Sequence, residues 1–243
     1  MGKIVVPDSN NAQSKKVQVE NMFDNIAPKY DLLNHVLSLN IDKLWRRKVV
    51  KIVSRHKPQR ILDVATGTCD LAIAAARKAK PQIINGIDLS EEMLNVGQKK
   101  IDKLGLSAQI ALQKADAENI PFADSTFDSV TVAFGVRNFE NLEAGLKEMH
   151  RVLNDKGICV ILEFTLPTAF PVKQLYNFYF RRILPLIGKK ISKDKSAYTY
   201  LPESVRAFPQ RSDFVRIMQQ CGFRNTAYKS LSLGIAAIYI GEK

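Results

Sequence analysis

The stretch RILDVATGTCDLA, from Arg60 to Ala72, decides how this chain folds. It begins as a short apolar run, passes through a turn of small residues and continues into the start of a helix. This order is typical of a nucleotide-binding loop that joins a parallel strand to the following helix. The turn contains a single glycine, Gly67, whereas a dinucleotide-binding loop carries three. The loop therefore predicts a nucleotide-like ligand other than a dinucleotide.

Strand and helix patterns alternate on the C-terminal side of this loop. Further strands are predicted within 82–90, 107–122, 127–138 and 158–167, and helices within 70–79, 91–105 and 142–157. Ser90 is placed to cap the second of these helices. Two closing runs, 224–233 and 235–243, have the pattern of a hairpin. The alternation predicts an α/β fold whose sheet is mostly parallel, with right-handed crossovers and an antiparallel end.

The N-terminal side of the loop has a different pattern. Residues 1–15 form a loose tail in this prediction, and 16–57 carry apolar residues at helical spacing. Pro28 interrupts the first helical run, which predicts two or three short helices that cover the sheet. With 243 residues in all, we predict one domain over 16–243. An aromatic and basic insertion over 172–205 is expected to act as a lid or a membrane contact.

Acidic residues follow the ends of successive predicted strands, where ligands bind in an open parallel sheet. Asp63 and Asp70 flank the first loop, Asp88 ends the second strand, and Asp116 and Glu118 follow the third. A carboxylate at the end of the second strand suits a pair of ribose hydroxyls. Acids around the loop favour a cationic ligand, and S-adenosylmethionine, an adenosine with a sulfonium, fits. Each acid taken alone could equally be a helix cap or a surface residue.

The motifs around these acids resemble those of class I methyltransferases: LDVATGTCDLA, GIDLSEEML, ADAENIPFADSTFD and GICVILEF. More narrowly, the chain resembles the UbiE-type C-methyltransferases of menaquinone and ubiquinone biosynthesis. The specific stretches are FDNIAPKYDLLNHVLSLNIDKLWRR (23–47), RNFENLEAGLKEMHRVLNDKGICVILEF (137–164) and YTYLPESVRAFP (198–209). The resemblance covers about residue 16 to the C-terminus. It implies a Rossmann-like sheet of seven strands, mostly parallel, with a C-terminal antiparallel strand and an N-terminal helical cover.

The resemblance also implies a cofactor and a set of residues that bind it. The cofactor is S-adenosylmethionine, and Thr68, Asp88 and the pair Asp116–Ala117 fall on binding positions of the family. Asp63 and Gly67 lie in the same loop. The chain departs from the family at Ala65–Thr66 and Cys69, and at Ala133, where some relatives present a serine and no contact is carried over.

The implied reaction is carbon methylation of a polyprenyl quinol, demethylmenaquinol to menaquinol in the first place. A benzoquinol intermediate of ubiquinone biosynthesis is the alternative substrate. Arg137 and Asn138 directly follow the fourth strand, so we expect them to hold the phenolate and to orient a ring hydroxyl. Tyr30 and Asp31 lie in the predicted cover, and Asp31 is the candidate base. Strand-end hydrogen bonding is the structural alternative for Arg137 and Asn138, and a helix cap for Asp31.

The amino-acid composition limits which classes of partner are expected. The net charge of +12 suits an anionic membrane surface or nucleic acid, but no nucleic-acid methyltransferase motif is evident, so no nucleic-acid partner is expected. Three separate cysteines and three histidines argue against a metal site. Residues 172–190 mix apolar and basic side chains, which predicts peripheral contact with the inner face of the cytoplasmic membrane. A homodimer is left open, and a non-catalytic basic membrane-binding module is the rival reading.

Overall fold

The computed structural model describes residues 5–38, 40–179, 182 and 196–243. Before the sheet it contains α1 (Lys15–Ile26), a 3₁₀ turn (Ala27–Lys29), α2 (Tyr30–Leu37) and α3 (Ile41–Arg55). Pro28 lies in the 3₁₀ turn, as the predicted break between cover helices requires. Composition predicts a loose tail before α1. Instead, residues 8–13 are tied to the buried side chain of Gln18, which bonds the backbone of Asp8, Asn11 and Gln13.

The sheet has seven strands in the order β3-β2-β1-β4-β5-β7-β6. The strands are β1 (Arg60–Val64), β2 (Ile83–Asp88), β3 (Ile110–Lys114), β4 (Phe127–Ala133), β5 (Leu153–Phe164), β6 (Arg224–Leu231) and β7 (Ala236–Glu242). The first five pair in parallel, and β7 pairs antiparallel with both β5 and β6. The predicted α/β fold and its antiparallel hairpin are therefore confirmed.

Helices cover both faces of this sheet. The remaining helices are α4 (Asp70–Ala79), α5 (Glu91–Lys103), α6 (Leu142–Val152), α7 (Val172–Phe178), α8 (Ser196–Ala207) and α9 (Ser212–Gln220). Trp45, Val49 and Ile73 bring α3 and α4 onto one face, and Met149 and Phe214 bring α6 and α9 onto the other. Ser90 caps α5 as predicted, since its hydroxyl accepts a hydrogen bond from the backbone N–H of Met93 at 3.1 Å.

One predicted boundary is wrong. The helix expected over 142–157 ends at Val152, because Leu153 already adopts extended backbone angles and pairs with Phe127 on β4. The register between β4 and β5 then shifts before Ile158, so the polar residues between form an irregular part of the strand. Helical periodicity did not reveal this change, since pairing with another strand is a non-local interaction.

The part of the predicted 172–205 insertion that is described consists of α7, residue 182 and α8. Residues 180–181 and 183–195 lie outside the described residues. Tyr176 on α7 and Tyr200 on α8 are buried, so both helices pack against the body of the protein. In the described parts of the chain, no helix is long and apolar enough to cross a membrane.

Candidate active site

A cleft opens at the carboxyl edge of the parallel strands. Parallel topology brings together at this edge the loops that follow β1, β2, β3 and β4. The side of the cleft away from the sheet is formed by the N-terminal cover, with Lys16, Val19 and Phe23 from α1 and Tyr30 from α2. Residues from the strand loops that line it are Ala65, Gly67, Asp88, Asp116, Ala117, Glu118, Ala133 and Asn138.

Small residues let the β1 loop approach both the cleft and the neighbouring loop closely. Gly67 has a φ of +55°, a conformation that residues with a Cβ rarely adopt. Gly135, after β4, packs against this loop so tightly that an added Cβ would lie 2.6 Å from the Cβ of Ala65. The β1 loop therefore packs, at Ala65, against a glycine that follows another strand, which the spacing of the loop alone does not reveal.

Asp63 supports the loop from beneath. It is 1% exposed, and its two carboxylate oxygens accept hydrogen bonds of 2.6 Å from the hydroxyls of Thr66 and Thr131. Burial raises its pKa to about 6, against the effect of these hydrogen bonds. Asp63 lines a smaller cavity beside Gly67 and Ala133 rather than the main cleft, and its contacts fix the loop. That it binds the ligand stays a prediction.

Asp88 ends β2 and lines the cleft. One carboxylate oxygen accepts from the backbone N–H of Gly67 at 2.8 Å, and the other accepts from that of Ser90 at 2.9 Å. The carboxylate thereby joins the β1 loop to the start of α5. Burial raises the pKa of Asp88 to about 6, so the group is mostly ionised at neutral pH and can accept further hydrogen bonds from ligand hydroxyls.

Asp116, Ala117 and Glu118 form the next wall of the cleft. One oxygen of Asp116 accepts from the backbone N–H of Glu118 at 2.9 Å, and the other contacts Lys16 Nζ at 2.6 Å. Lys16 also reaches Glu118 at 3.2 Å. The N-terminal cover is thus attached to a predicted cofactor residue by an ion pair. Lys16 was missed in the sequence, since nothing in a lysine on a helix signals a partner 100 residues away.

Thr68 and Asp31 lie together, and neither lines the main cleft, although Thr68 lines the smaller cavity beside Gly67 and Ala133. The Thr68 hydroxyl donates to one Asp31 oxygen, and Lys100 Nζ lies 2.9 Å from the other. Lys100 also pairs with Asp70. Asp31 does not line the main cleft, and its carboxylate is held by a cation and a hydroxyl. These contacts fasten α2 to the β1 loop and to α5.

Tyr30 also approaches the β1 loop from the cover. Its ring lies 3.9 Å from where a Cβ at Gly67 would be, and it packs edge-on against Phe23 with a centroid distance of 5.9 Å. The Tyr30 hydroxyl is hydrogen-bonded to the side chain of Asn34, and burial raises its pKa. Tyr30 therefore remains protonated at neutral pH and closes the cleft over the loop.

Arg137 and Asn138 lie in a 3₁₀ turn (Val136–Asn138) directly after β4, as predicted. Arg137 Nη1 pairs with Glu163 Oε1 at 2.8 Å and donates to the backbone carbonyl of Phe134 at 2.5 Å. Glu163, on β5, is fully buried. Among the described residues, neither Arg137 Nε nor Asn138 Oδ1 has a hydrogen-bond partner, although both atoms are buried. The turn therefore presents one unused donor and one unused acceptor.

Two further charged residues were missed in the sequence. Glu163 is an acid within the apolar run of β5, and an acid in a buried strand could have been noticed as needing a partner. Arg46, on α3, lines a smaller cavity beside Gly67 and Ala133. Its side chain is 9% exposed, pairs with Asp42 and lies 3.9 Å from Asp70. In the described part of the chain, the structure thus adds a buried cation to the loop side of the site.

The residues present fit S-adenosylmethionine. Asp88 and Asp116 stand at the ends of neighbouring strands on one wall, while the glycine-containing β1 loop allows close approach between them. Arg46 supplies a cation near the loop, where the ligand's own carboxylate would need a partner. The second wall, with Asn138, is separate from these groups and leaves room for an acceptor.

Relatives with known names share this chain's sequence over nearly its whole length. A demethylmenaquinone methyltransferase of Bacteroides fragilis is 48% identical, with 98% of this chain and 97% of the relative covered. One of Porphyromonas gingivalis, with the same name, is 47% identical over 94% of each chain. A ubiquinone/menaquinone biosynthesis C-methyltransferase UbiE of Geotalea daltonii is 50% identical over 94% of this chain and 97% of its own.

Solved structures share the fold at lower sequence identity. A SAM-dependent methyltransferase of Thermotoga maritima, described as a possible histamine N-methyltransferase, has a TM-score of 0.62 at 18% identity over 92% of this chain and 99% of its own. The [4+2]-cyclase SpnF has the same TM-score and identity, over 96% and 97%. A cyclase on this fold shows that the fold alone does not fix the reaction. The profile of the ubiE/COQ5 methyltransferase family matches residues 10–243, and this chain belongs to that family.

Proposed function

We propose that this protein transfers a methyl group from S-adenosylmethionine to a ring carbon of a polyprenyl quinol, with demethylmenaquinol as the substrate and menaquinol as the product. The observation that carries the proposal is the division of one cleft into two walls. Asp88 and Asp116 line one wall and Asn138 lines the other, while Arg137, in the same turn as Asn138, does not line the cleft itself. Every relative named above has menaquinone in its name, which favours the naphthoquinol ring.

On the cofactor wall, the residues bind and orient S-adenosylmethionine. When bound, S-adenosylmethionine supplies an electrophilic methyl group on a positive sulfur. Asp88 accepts hydrogen bonds from the ribose hydroxyls, and the loop of Asp116 and Ala117 borders the adenine. Arg46 pairs with the ligand carboxylate. Phe23 and Tyr30 cover the cleft and exclude water, which strengthens each of these electrostatic contacts.

On the acceptor wall, the residues make the ring nucleophilic. A phenolic hydroxyl has a pKa of about 10, so its deprotonation at neutral pH, with the proton passing to solvent water, requires stabilisation of the anion. Arg137 supplies a fixed positive charge beside the acceptor, with Glu163 and the Phe134 carbonyl holding its guanidinium in place. Asn138 orients a ring hydroxyl through its unused Oδ1. We assign Asp31 to anchoring the cover, because its carboxylate already binds Lys100 and Thr68.

The benzoquinol intermediate of ubiquinone biosynthesis is the second candidate substrate. It is kept as a candidate because the name of the relative from Geotalea daltonii includes ubiquinone as well as menaquinone. Both rings present a hydroxyl beside a ring carbon that can be methylated, so the same residues would serve. An anaerobic assay with both quinols, carrying the same prenyl chain, decides between them by kcat/KM.

The proposal is tested by calorimetric titration followed by a methyl-transfer assay. We expect wild-type protein to bind S-adenosylmethionine and S-adenosylhomocysteine but not NADH, and to methylate demethylmenaquinol. Asp88→Ala should lose cofactor affinity by about a hundredfold, since it removes an ionised acceptor of two hydroxyls. Asp102→Ala, an exposed carboxylate on α5, is the matched control and should bind like wild type. Folded wild-type protein that binds neither methionine derivative would favour the non-catalytic membrane module.

We also infer that the protein associates peripherally with the inner face of the cytoplasmic membrane, where the prenyl chain of the substrate resides. Large apolar side chains are exposed where the chain leaves the carboxyl end of β5: Phe170, Leu175 and Phe178 are 81%, 64% and 59% exposed. Leu44 and Leu233, at 51% and 74% exposed, flank the contact between Trp45 and Ser232 near the same edge. Arg47, Lys48 and Lys51 lie beside Leu44 and suit anionic headgroups.

Flotation with phosphatidylglycerol vesicles tests this association. We expect wild-type protein to float, less so as salt rises, and Leu175→Glu to float less than wild type. Leu104→Glu is the matched control, because Leu104 is 41% exposed after α5, at the opposite edge of the sheet. Equal flotation of the two variants would contradict the assigned face. The homodimer stays a prediction, which sedimentation velocity tests.

A further inference from the structure

The hydroxyl of Tyr200 on α8 is buried, although the packing of the protein does not require a hydroxyl there. Tyr200 is 2% exposed, and no described residue gives its hydroxyl a hydrogen-bond partner. A tyrosine hydroxyl that is buried normally has a partner, because leaving it unpaired costs its lost hydration. A phenylalanine would fill the same space without this cost. The hydroxyl therefore needs an explanation outside the packing of the chain.

The surroundings of Tyr200 place it at the acceptor wall. Helix α8 packs against the turn that contains Arg137 and Asn138, and the charges of Arg137 and Glu163 both act on the Tyr200 hydroxyl. On its other side, the Tyr200 ring packs with Val19 and Met22 of the cover. Val19 itself lines the main cleft. Tyr200 thus joins the cover to the turn after β4. It does not line the cleft itself, so a ring oxygen reaches its hydroxyl only by passing between Val19 and Asn138.

Three buried polar atoms in this region have hydrogen-bonding capacity that the described residues do not use. They are Arg137 Nε, Asn138 Oδ1 and the Tyr200 hydroxyl, and none has a hydrogen-bond partner among the described residues. Two of the three can donate and two can accept, since a hydroxyl does both. An aromatic ring with hydroxyls would satisfy such a set, because each ring hydroxyl can also donate and accept. An apolar prenyl chain would satisfy none of them.

We propose that the Tyr200 hydroxyl binds a ring oxygen of the quinol and that Tyr200, with Arg137 and Asn138, completes the site for the acceptor ring. This inference rests on the proposed function and adds a residue from the C-terminal half of the chain. Burial raises the pKa of Tyr200 to about 12, so the hydroxyl keeps its proton and donates to the ring oxygen. A neutral donor there stabilises the oxygen as it becomes negative.

The test is Tyr200→Phe, with Tyr239→Phe as the matched control. Tyr239 is also fully buried, but its hydroxyl accepts a 2.8 Å hydrogen bond from the backbone N–H of Arg211. We expect Tyr200→Phe to lower kcat/KM for demethylmenaquinol by roughly tenfold to a hundredfold. Its affinity for S-adenosylmethionine and its Tm should be no lower than those of wild type. Tyr239→Phe should show the reverse, a lower Tm with unchanged kinetics.

Two results would overturn the inference: unchanged kcat/KM in Tyr200→Phe, or a fall in its Tm as large as that of Tyr239→Phe. A binding measurement separates this inference from the proposed function. Menadione, a naphthoquinone without the prenyl chain, is titrated into wild type and Tyr200→Phe with S-adenosylhomocysteine present. If wild type binds menadione at least tenfold tighter than the variant but methylates no quinol, the ring site stands and the proposed reaction fails. If menadione binds both equally, the ring site fails.

Discussion

The two walls of the cleft differ in how completely their polar groups are satisfied. On the cofactor wall, Asp88 and Asp116 both accept hydrogen bonds from the protein, as does Asp63 beneath them. On the acceptor wall, Arg137 Nε and Asn138 Oδ1 are buried with no partner among the described residues. The first wall is preorganised before any ligand arrives, whereas the second is completed only by one. Fixed carboxylates suit a ligand that is the same in every methylation, and unused groups suit an acceptor that must be selected.

The largest effect is expected from Glu163→Gln, which leaves Arg137 with no ionic partner at the acceptor wall. Removing one member of a buried ion pair costs about 3–5 kcal/mol, because the remaining charge stays out of water. Urea unfolding should therefore show a free energy of unfolding lower by about 3 kcal/mol. Asp124→Asn is the control, since its pair with Arg151 is exposed and should contribute less than about 1 kcal/mol. If both variants lost the same free energy of unfolding, the buried pair of Arg137 and Glu163 would stabilise the protein no more than an exposed pair does.

The next largest effect is expected from Arg137→Lys, which tests whether activity can be lost while cofactor binding is kept. Lysine keeps the charge but lacks the Nε–H and the planar group that binds Glu163 and Phe134 together. We expect kcat to fall about 10²–10³-fold, as when a transition-state donor is removed. The affinity for S-adenosylhomocysteine, measured by calorimetry, should change by less than about threefold. Loss of both together would show that the walls are coupled.

The pH dependence of cofactor binding tests whether the ionised carboxylate of Asp88 on the first wall binds the cofactor. Asp88 has a pKa of about 6, raised by burial, so about nine-tenths of it is protonated at pH 5. Cofactor affinity should fall roughly tenfold from pH 7 to pH 5 in wild type, and Asp88→Asn should lack this dependence. Asp63 has a pKa raised to about 6 as well and titrates in both proteins, so any pH dependence that remains in Asp88→Asn measures its contribution. Parallel pH profiles for the two proteins would assign the effect to another group.

The stability of the ligand-free protein should change with pH in the opposite sense. The pKa of Asp88 in the folded chain lies above its ordinary value of 3.8, so the folded state binds the proton more tightly than the unfolded state. The contribution of Asp88 to stability is therefore present below about pH 4 and is lost as pH rises through about 6. Thermal unfolding at pH 5 and 7 should show a smaller change in Asp88→Asn than in wild type.

The smallest effect is expected at the ion pair between Lys16 and Asp116, which attaches the cover to the first wall. The pair is about a quarter exposed, so it should contribute less than about 1 kcal/mol. Lys16→Gln should change the affinity for S-adenosylmethionine by less than about fivefold, and mainly through the rate of release. Lys114→Gln, which breaks a pair with Glu20 on the same cover helix, is the control. A larger effect in stopped-flow binding would make the cover part of cofactor recognition.

Local patterns in the sequence were enough to predict the succession of strands and helices and to place Asp88, Asp116, Arg137 and Asn138 at or just after strand ends. That these residues form the site stays a prediction. The elements and positions follow from local rules, because periodicity sets each element and parallel topology gathers the strand ends at one edge. Only the tertiary structure decided which groups face each other there. It paired Asp31 with Lys100, Arg137 with Glu163 and Lys16 with Asp116, and it brought Tyr200 of α8 to the turn after β4. The physical reason is that a side chain's partner is chosen by packing between distant segments, which no local pattern records.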